Sequence, residues 1–178
     1  MARSTGLSGF RYAPGMTSAP ALSRVIVCPD PAATGRLGTA LASVAAAGDL
    51  VCLWGDLGAG KTHLAKAFGA ALGVTETITS PSFVLMAEYR GRLPLFHIDP
   101  YRLADAADAL AGGLIDERQA EGVTLVEWPE RLGDALPAAR LDVRIDGSGD
   151  DPRVIKLVAG DDAYRRYLEV QVEVEVEP

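Results

Sequence analysis

One short segment constrains this chain more than any other. It is Gly55-Asp56-Leu57-Gly58-Ala59-Gly60-Lys61-Thr62, which fills the pattern G-x-x-x-x-G-K-[ST]. The apolar run Leu50–Trp54 precedes it, and the residues after it place Leu64, Phe68 and Leu72 on one helical face. The sequence therefore predicts a strand, a glycine-rich loop and a helix in immediate succession.

Each residue type in this loop has a physical task in binding phosphate. The glycines allow successive backbone N–H groups to turn inward, and the following helix directs its positive dipole end at the same point. The Lys61 ammonium would neutralise phosphate oxygens, and the Thr62 hydroxyl is the expected Mg²⁺ ligand. A turn that binds nothing is the alternative, but the full signature in this context disfavours it. We therefore predict a nucleoside triphosphate site built from Asp56, Leu57, Gly58, Ala59, Gly60, Lys61 and Thr62.

Composition places the chain among ordinary globular proteins. Its 178 residues are enough for one domain with a substantial core, and 48% are hydrophobic while 23% are charged. Cys28 and Cys52 lie in apolar runs, which predicts two buried thiols rather than a disulfide or a metal cluster. No stretch is apolar enough to span a bilayer, and the N-terminus lacks an apolar secretory block. We expect a cytoplasmic protein without a membrane partner.

The net charge of −7 weighs against direct contact with nucleic acid. It arises from 17 basic and 24 acidic side chains, and the basic residues form no cluster in the sequence. A protein that binds nucleic acid directly normally carries a basic face that displaces counterions from phosphate. If nucleic acid is involved, we expect a partner to hold it.

Hydrophobic patterning divides the chain into three regions. We predict a disordered extension over residues 1–22, a single P-loop domain over 23–168, and an acidic Val/Glu tail over 169–178, for which an edge strand is the alternative. The elements predicted within the domain are a strand at Ser23–Cys28, a helix capped by Asp30 and ended by Gly48, a strand at Leu50–Trp54, a helix from Lys61 to Gly73, a hairpin of Phe83–Tyr89 with Pro94–Asp99, a short helix at Leu103–Leu110, a strand at Val123–Glu127, and a hairpin of Leu141–Ile145 with Val154–Val158.

This order of elements predicts the fold class. A strand that leads through a phosphate loop into a helix, with more strands after it, is typical of α/β proteins. The hairpins require some antiparallel pairing. We therefore expect a P-loop NTPase-like three-layer α/β sandwich with a mixed parallel and antiparallel central sheet.

Two strands end in carboxylates that could complete the site. Asp99 follows Leu95–Ile98, and Glu127 ends Val123–Glu127, as the acidic residue of a Walker B strand does. Ligands bind at the carboxyl ends of strands in open α/β sheets. We predict that Glu127 helps to hold the metal, whereas Asp99 is close to evenly balanced between a functional and a solvated residue. His97 shares a face with Asp99, and we expect it to be a hydrogen-bonded packing residue.

The loops near these carboxylates offer further candidates. Ser80 and Ser82 flank Pro81, where P-loop proteins often sense the γ-phosphate, although turn chemistry alone would also explain them. Trp128 follows Glu127 directly and leaves the sheet close to the site. Arg102 is expected to pair with an acidic neighbour rather than with a phosphate.

Taken together, these segments resemble the TsaE (YjeE) family, the small ATPases of bacterial tRNA threonylcarbamoyladenosine biosynthesis. The resemblance covers roughly residues 25–158 and departs from the family pattern at Ser82, where Thr is usual, and at Pro100, where an aliphatic residue is commoner. The four motifs that carry it are Gly55 to Thr62, Thr79-Ser80-Pro81-Ser82-Phe83, His97-Ile98-Asp99-Pro100-Tyr101-Arg102-Leu103 and Val126-Glu127-Trp128-Pro129-Glu130-Arg131.

The resemblance implies a function and a set of partners. It implies an ATPase domain that binds ATP and Mg²⁺, with Thr62 and Glu127 at the metal, and with Asp99 and Trp128 required for activity. Lys61, Asp99 and Glu127 are the catalytic candidates, and Ser80 and Trp128 are added to the nucleotide-binding set. It also implies that the ATPase works with the TsaB–TsaD complex, where TsaD modifies the tRNA, so that tRNA is engaged only through the complex.

Two other functions remain open from the residues. A small-molecule or nucleoside kinase shares the loop and the size, but the chain has no compact arginine-rich insertion that would serve as a lid. A nucleotide-dependent switch with little catalysis is the third hypothesis, in which Thr79–Phe83 responds to the γ-phosphate. Phosphoryl transfer to an acceptor would favour the kinase, and nucleotide-dependent proteolysis of that loop would favour the switch.

Overall fold

A central sheet of seven strands organises the part of the chain that the computed structural model describes, residues 22–103 and 117–172. The strands are β1 (Leu22–Cys28), β2 (Leu50–Trp54), β3 (Met86–Tyr89), β4 (Leu95–Ile98), β5 (Val123–Glu127), β6 (Leu141–Asp146) and β7 (Arg153–Ala159). The helices are α1 (Pro31–Ser43) and α2 (Lys61–Ala71), with short 3₁₀ helices at Glu117–Glu121, Pro129–Arg131, Gly133–Ala135 and Asp162–Leu168.

The sheet is parallel at its centre and antiparallel at its sides. The strand order is β1-β7-β6-β2-β5-β4-β3. Strands β6, β2, β5 and β4 run parallel, whereas β1 and β3 join antiparallel partners and β7 is antiparallel to both of its neighbours. The carboxyl ends of β2, β4 and β5 therefore lie side by side at one end of the strands. We call this side of the sheet the loop edge. The amino end of β2 lies at the other end of the strands, which we call the opposite edge.

Two helices cover one face of the sheet. The Asp30 carboxylate accepts a hydrogen bond from Ala33 N at 2.6 Å, and Pro31 occupies the first helical position, so α1 begins where the sequence predicts. Gly38 allows α1 and α2 to approach each other closely because it has no side chain. A Cβ atom at this position would lie only 2.8 Å from the Leu64 carbonyl oxygen. The main hydrophobic core fills the space between these helices and the sheet.

A second, smaller core lies on the other face. It contains Leu50, Cys52, Ile98 and Val126 from the sheet, and Leu132 packs onto them from the turns that follow β5. Those 3₁₀ turns supply the third layer in the described part of the chain. The predicted α/β sandwich with a mixed sheet is confirmed, and both predicted hairpins form.

Two predicted boundaries are wrong. Helix α1 ends at Ser43 rather than continuing to Gly48, because the Val44 and Ala45 N–H groups donate three residues back, to Leu41 O and Ala42 O, and close the last turn. Arginine side chains then bind carbonyl groups at and just after this end: Arg92 donates to Ala42 O and Ala45 O, and Arg166 donates to Val44 O. Strand β3 begins at Met86 rather than Phe83, because residues 83–85 form a turn in which Val84 and Leu85 donate to the Pro81 carbonyl.

Several predictions fall outside the described residues. The N-terminal extension up to residue 21, the short helix over 104–110 and the last part of the acidic tail, 173–178, belong to this group. At the start of that tail, Val170 is buried in the main core, and its carbonyl accepts a hydrogen bond from Arg24 at 2.5 Å. Within the described ranges, no helix is both long enough and apolar enough to cross a membrane.

Candidate functional site

The glycine-rich loop leaves β2 at the loop edge and delivers its last residues into α2. Gly60 is the residue before α2 and has a φ of 107°, a left-handed conformation that favours glycine. No side chain caps the N-terminus of α2, and its first turn contains no acidic residue. The positive end of the helix dipole therefore faces the loop without a compensating charge from its own first turn.

The Lys61 ammonium is buried at the base of this loop. Its Nζ donates to the carbonyl oxygens of Gly55 at 2.6 Å and Asp56 at 2.9 Å, and it lies 3.5 Å from the centre of the Trp128 ring. Burial lowers the pKa of Lys61 below its usual value, and the Glu127 carboxylate opposes this shift in part. Among the described residues, the cation is thus held by neutral dipoles and a π face rather than by a direct ion pair.

Glu127, the last residue of β5, is only 2% exposed and holds both of its carboxylate oxygens in hydrogen bonds. The Thr62 hydroxyl lies 2.8 Å from Oε2, and His97 Nε2 lies 2.9 Å from Oε1. Strand β5 places Glu127 beside the start of α2, because β5 is the parallel neighbour of β2 in the sheet. A carboxylate and a hydroxyl in contact form a pair of hard oxygen ligands.

Asp99 is the second buried carboxylate at the loop edge, and it is also 2% exposed. Its Oδ1 accepts from the Tyr101 backbone N–H at 3.0 Å, and its Oδ2 accepts from the Ser80 hydroxyl. The backbone N–H of Asp99 donates to the Leu85 carbonyl, which ties the end of β4 to the turn after Pro81. The loop carrying Ser80 is therefore connected directly to a buried acid.

Trp128 turns back over the site because its backbone is left-handed, with a φ of 54°. This conformation is uncommon for a bulky residue and costs free energy that the surrounding contacts must offset. The indole packs against the Tyr101 ring at a centroid distance of 4.8 Å and covers the Lys61 ammonium. The predicted site residue Trp128 thus forms one wall of the site.

Two neighbouring clefts, each of about 300 Å³, open at the loop edge. The first, which we call the central cleft, is lined by Leu57, Gly58, Lys61, Thr62, Ser80, Ser82, Asp99, Tyr101, Arg102, Glu127 and Trp128. The second, which we call the lateral cleft, lies on the other side of the loop and is lined by Pro29, Asp30, Pro31, Thr34, Ala59, Gly60, His63, Gly149, Asp150, Asp151 and Arg153.

The structure brings most of the predicted site residues together. The central cleft collects Lys61, Thr62, Asp99 and Glu127 with Leu57, Gly58, Ser80 and Trp128. Ala59 and Gly60 line the lateral cleft, whereas the exposed Asp56 takes part through its carbonyl group.

Four side chains at the site add to the sequence interpretation or depart from it. His97 is buried and hydrogen-bonded, as expected, and its hydrogen-bond partner is Glu127. Arg102, expected to pair with an acidic neighbour, instead lies 4.2 Å from the centre of the Phe83 ring. Tyr101 and Arg153 were not identified as contributors. The H-x-D spacing was the one signal that placed His97 on the same face as Asp99.

Arg153 connects the loop to the β6–β7 turn. Its guanidinium donates to the Ala59 carbonyl at 2.9 Å, to the Gly149 carbonyl at 2.9 Å, and to the Asp151 carbonyl. No sequence signal pointed to this contact, because residues 59 and 153 are separated by most of the domain and meet only in the folded chain.

A parallel sheet centre, a glycine-rich loop between strand and helix, and buried carboxylates at the same edge define a class: P-loop-like α/β proteins. The model of the family described as "Threonylcarbamoyl adenosine biosynthesis protein TsaE" matches residues 28–155 of this chain. The chain belongs to the TsaE family, whose members take part in tRNA threonylcarbamoyladenosine biosynthesis.

Individual relatives agree with the family assignment. The tRNA threonylcarbamoyladenosine biosynthesis protein TsaE of Bacillus subtilis is 40% identical over 141 residues, which cover 79% of this chain and 88% of that protein. The protein of the same name from Streptomyces coelicolor is 42% identical over 65% of this chain and 80% of its own. The crystal structure of Bacillus subtilis YdiB superposes with a TM-score of 0.71 at 33% identity, covering 85% of this chain and 95% of that one.

Proposed function

We propose that this chain is an Mg²⁺-dependent ATPase that acts in tRNA threonylcarbamoyladenosine biosynthesis. The observation that carries the proposal is the convergence of Lys61, Thr62, Asp99 and Glu127 on one cleft, next to the uncompensated N-terminus of α2. A cation, two buried acids and a positive helix end at a glycine-rich loop match the needs of a bound nucleoside triphosphate.

The donor set of the central cleft fits Mg²⁺. Thr62 Oγ1 and Glu127 Oε2 are hard oxygen ligands that already lie 2.8 Å apart, and Mg²⁺ prefers few protein ligands together with water and phosphate oxygens. We assign these two residues to the metal. A bound Mg²⁺ would supply electrostatic stabilisation of the phosphate charge.

Lys61 is the residue that we assign to the phosphate charge. Its ammonium contacts carbonyl oxygens and the Trp128 ring, and it has no direct carboxylate partner among the residues that the structure describes. A phosphate anion would offer it a stronger, charge-assisted interaction than these dipoles do. Loop N–H groups and the start of α2 would bind the remaining oxygens.

Asp99 is the residue that we assign to the attacking water. Its buried carboxylate lines the central cleft, and its contacts with Ser80 and the Tyr101 N–H hold it in place. A fixed carboxylate can accept a hydrogen bond from water and orient it for attack on the γ-phosphate. The Ser80 contact would also let the loop after α2 respond to the state of the phosphate.

The lateral cleft provides room for the nucleoside. It adjoins the central cleft across Ala59 and Gly60, and its volume of about 300 Å³ suits a nucleoside better than it suits a macromolecular surface. His63 and Asp30 supply polar groups on its walls, and Arg153 fixes its far side. We expect ATP, since no N-K-x-D motif for reading guanine follows the loop.

The partner assignment follows from the family and from the surface around the central cleft. We propose that the TsaB–TsaD complex stimulates hydrolysis and that tRNA is reached only through that complex. The net charge of −7 supports this division of labour. Large apolar side chains that stand exposed near the cleft mouth, namely Leu57, Phe83, Val84 and Tyr101, offer a surface that a protein partner would cover.

The test is Mg²⁺-ATP hydrolysis by the purified chain, measured alone and with the TsaB–TsaD pair, with Lys61→Ala as the blank. We expect slow turnover alone, stimulation by the pair, and neither in the variant. Stimulation that survives in Lys61→Ala would contradict the proposed site. Turnover that ignores the pair, together with phosphoryl transfer to a small acceptor, would favour a kinase instead.

A second variant tests the division of roles within the cleft. Glu127→Ala is expected to retain nucleotide binding but to lose Mg²⁺-dependent turnover, because Lys61 and the loop remain while one metal ligand is gone. Equilibrium titration with a fluorescent ATP analogue and a phosphate-release assay measure the two properties separately. Normal turnover in Glu127→Ala would remove this residue from the site.

A further inference from the structure

His97 is not among the residues that line the central cleft, but it contacts Glu127, which is. It lies on β4, is 1% exposed, and uses the same face of the sheet as Leu95, which belongs to the main core. Strand β4 is the parallel neighbour of β5, with His97 level with Leu125, two residues before Glu127. The imidazole reaches forward along the sheet to the Glu127 carboxylate at 2.9 Å.

The hydrogen-bond pattern fixes the proton on one ring nitrogen. A carboxylate only accepts hydrogen bonds, so His97 Nε2 must carry the hydrogen in this contact. The other nitrogen, Nδ1, is buried and has no hydrogen-bond partner among the described residues. A bare lone pair at that place is tolerated better than an unsatisfied buried N–H would be, which favours the neutral Nε2–H form. The Glu127 contact is then the one polar contact that orients the ring within the described structure.

The two donors to Glu127 contact different oxygens of its carboxylate. His97 occupies Oε1, and Thr62 contacts Oε2. The two oxygens are chemically equivalent, so what the two contacts fix together is the plane of the carboxylate. With His97 holding one oxygen from the core side, the other oxygen is directed at the Thr62 hydroxyl and at the central cleft. Without His97, no described side chain would hold the oxygen on the core side, and the plane could rotate away from the geometry that a metal needs.

We propose that His97 is a positioning residue that orients the Glu127 carboxylate for Mg²⁺, so that it strengthens the coupling between metal and nucleotide binding. This inference rests on the proposed function, since it presupposes that Thr62 and Glu127 hold Mg²⁺ beside a bound nucleotide. Groups that orient a metal-binding side chain typically contribute about 10- to 100-fold to metal affinity or activity. His97 itself touches neither the nucleotide nor the metal in this scheme.

A matched pair of amide substitutions tests the donor position. The amide nitrogen of His97→Gln is separated from Cβ by as many bonds as Nε2 of histidine, so it can donate to Oε1. His97→Asn carries the same amide one methylene shorter and cannot reach. Tyr167→Phe is the control, because it also removes a buried donor to a carboxylate, at the opposite edge and far from the cleft.

The measurement is the affinity of the full-length chain for a fluorescent ATP analogue, with saturating Mg²⁺ and with EDTA. The ratio of the two dissociation constants reports metal coupling without any need for turnover. We expect His97→Asn to weaken binding in Mg²⁺ about 10-fold and to leave the dissociation constant in EDTA unchanged, so that the ratio changes about 10-fold. His97→Gln and Tyr167→Phe should keep the wild-type ratio. Equal ratios in the Asn and Gln variants would overturn the proposal.

A measurement on the wild-type chain covers the case in which His97→Asn does not fold. Long-range ¹H–¹⁵N NMR distinguishes the two neutral imidazole forms, and we expect His97 to carry its proton on Nε2; the Nδ1–H form would overturn the proposal.

Failure of the proposed function is recognised separately. If wild-type protein binds the analogue equally with Mg²⁺ and with EDTA, the metal site itself is wrong, and the His97 role falls with it.

Discussion

The two ends of β2 carry buried charges that are treated in opposite ways. At its amino end, the buried Asp49 carboxylate accepts from Arg166 through both oxygens, from Tyr167 Oη at 2.5 Å, and from the Ala46 N–H at 2.8 Å. At its carboxyl end, the Lys61 ammonium contacts neutral groups, and Asp99 and Glu127 are held by hydroxyl, imidazole and amide donors instead of cations.

This difference distinguishes a structural cluster from the site that we propose for the nucleotide. The Asp49 cluster is internally neutral and satisfied, so it joins the Asp162–Leu168 helix to the opposite edge of the sheet and leaves nothing for a ligand. At the loop edge a cation and two anions share one cleft without neutralising each other in direct pairs. Burial of unpaired charge costs free energy, and a ligand that pairs with it recovers that free energy as binding.

The largest expected effect is on stability, at the opposite edge. Asp49→Asn leaves the Arg166 guanidinium beside a neutral amide, which should lower the free energy of unfolding by about 3 kcal/mol. Urea denaturation measures the loss, and Asp134→Asn, at an exposed residue, is the control with an expected change within about 0.5 kcal/mol. Nucleotide affinity of the folded variant should not change; a large loss would mean that the two edges are coupled.

Lys61→Ala should reduce nucleotide affinity without reducing stability, which is the reverse of the effect expected for Asp49→Asn. We expect the affinity for the ATP analogue to fall about 100-fold, equivalent to about 2.7 kcal/mol, because charge-assisted contacts with phosphate are lost. Stability should stay equal or rise, since the substitution removes a cation whose pKa is lowered by burial. Lys66→Ala, at an exposed position on the same helix, is the matched control. A destabilised Lys61→Ala would assign the lysine to the fold rather than to a ligand.

The pH dependence of stability sharpens the comparison. Burial, with the Asp49 contact as a second cause, raises the pKa of Tyr167 well above its ordinary value of about 10. The native state therefore keeps the phenol proton that the unfolded state releases, so stability is lost as pH rises above about 10, by at most about 1.4 kcal/mol per pH unit for this group. Tyr167→Phe should reduce that slope and cost about 1 kcal/mol at neutral pH. Urea denaturation between pH 8 and 11 measures both; an unchanged slope would contradict the assignment.

The smallest expected effect concerns the connection between loop and lateral cleft. Arg153→Lys keeps the charge but replaces a guanidinium that binds three carbonyl groups with an ammonium that cannot reach all of them. We expect affinity for the ATP analogue to fall about threefold, equivalent to about 0.7 kcal/mol, with the Mg²⁺ coupling retained. Arg165→Lys, at an exposed position in the Asp162–Leu168 helix, is the control. An unchanged affinity would show that the Ala59 carbonyl needs no such support.

Sequence reasoning reached most of the loop edge, because the residues that form it lie in short, ordered motifs. The Lys61 loop, the strand ending at Glu127 and the strand before Asp99 each have a local signature, and parallel strands bring their ends together. The Phe83 contact of Arg102 and the link from Arg153 to the loop were missed for a common reason. Each depends on a partner outside the residue's own motif, and no local pattern encodes such a meeting.

The amino-acid sequence was enough to predict the fold class, the glycine-rich loop and the family, because local periodicity, glycine positions and motif spacing are properties of contiguous residues. Which donor each buried charge receives could be learned from the folded chain alone. His97 faces Glu127, Arg153 holds the loop at Ala59, and Arg166 neutralises Asp49, since strand register and loop closure set these distances to within a hydrogen bond. That choice of partners distinguishes the charges that are paired within the domain from those of the proposed nucleotide site.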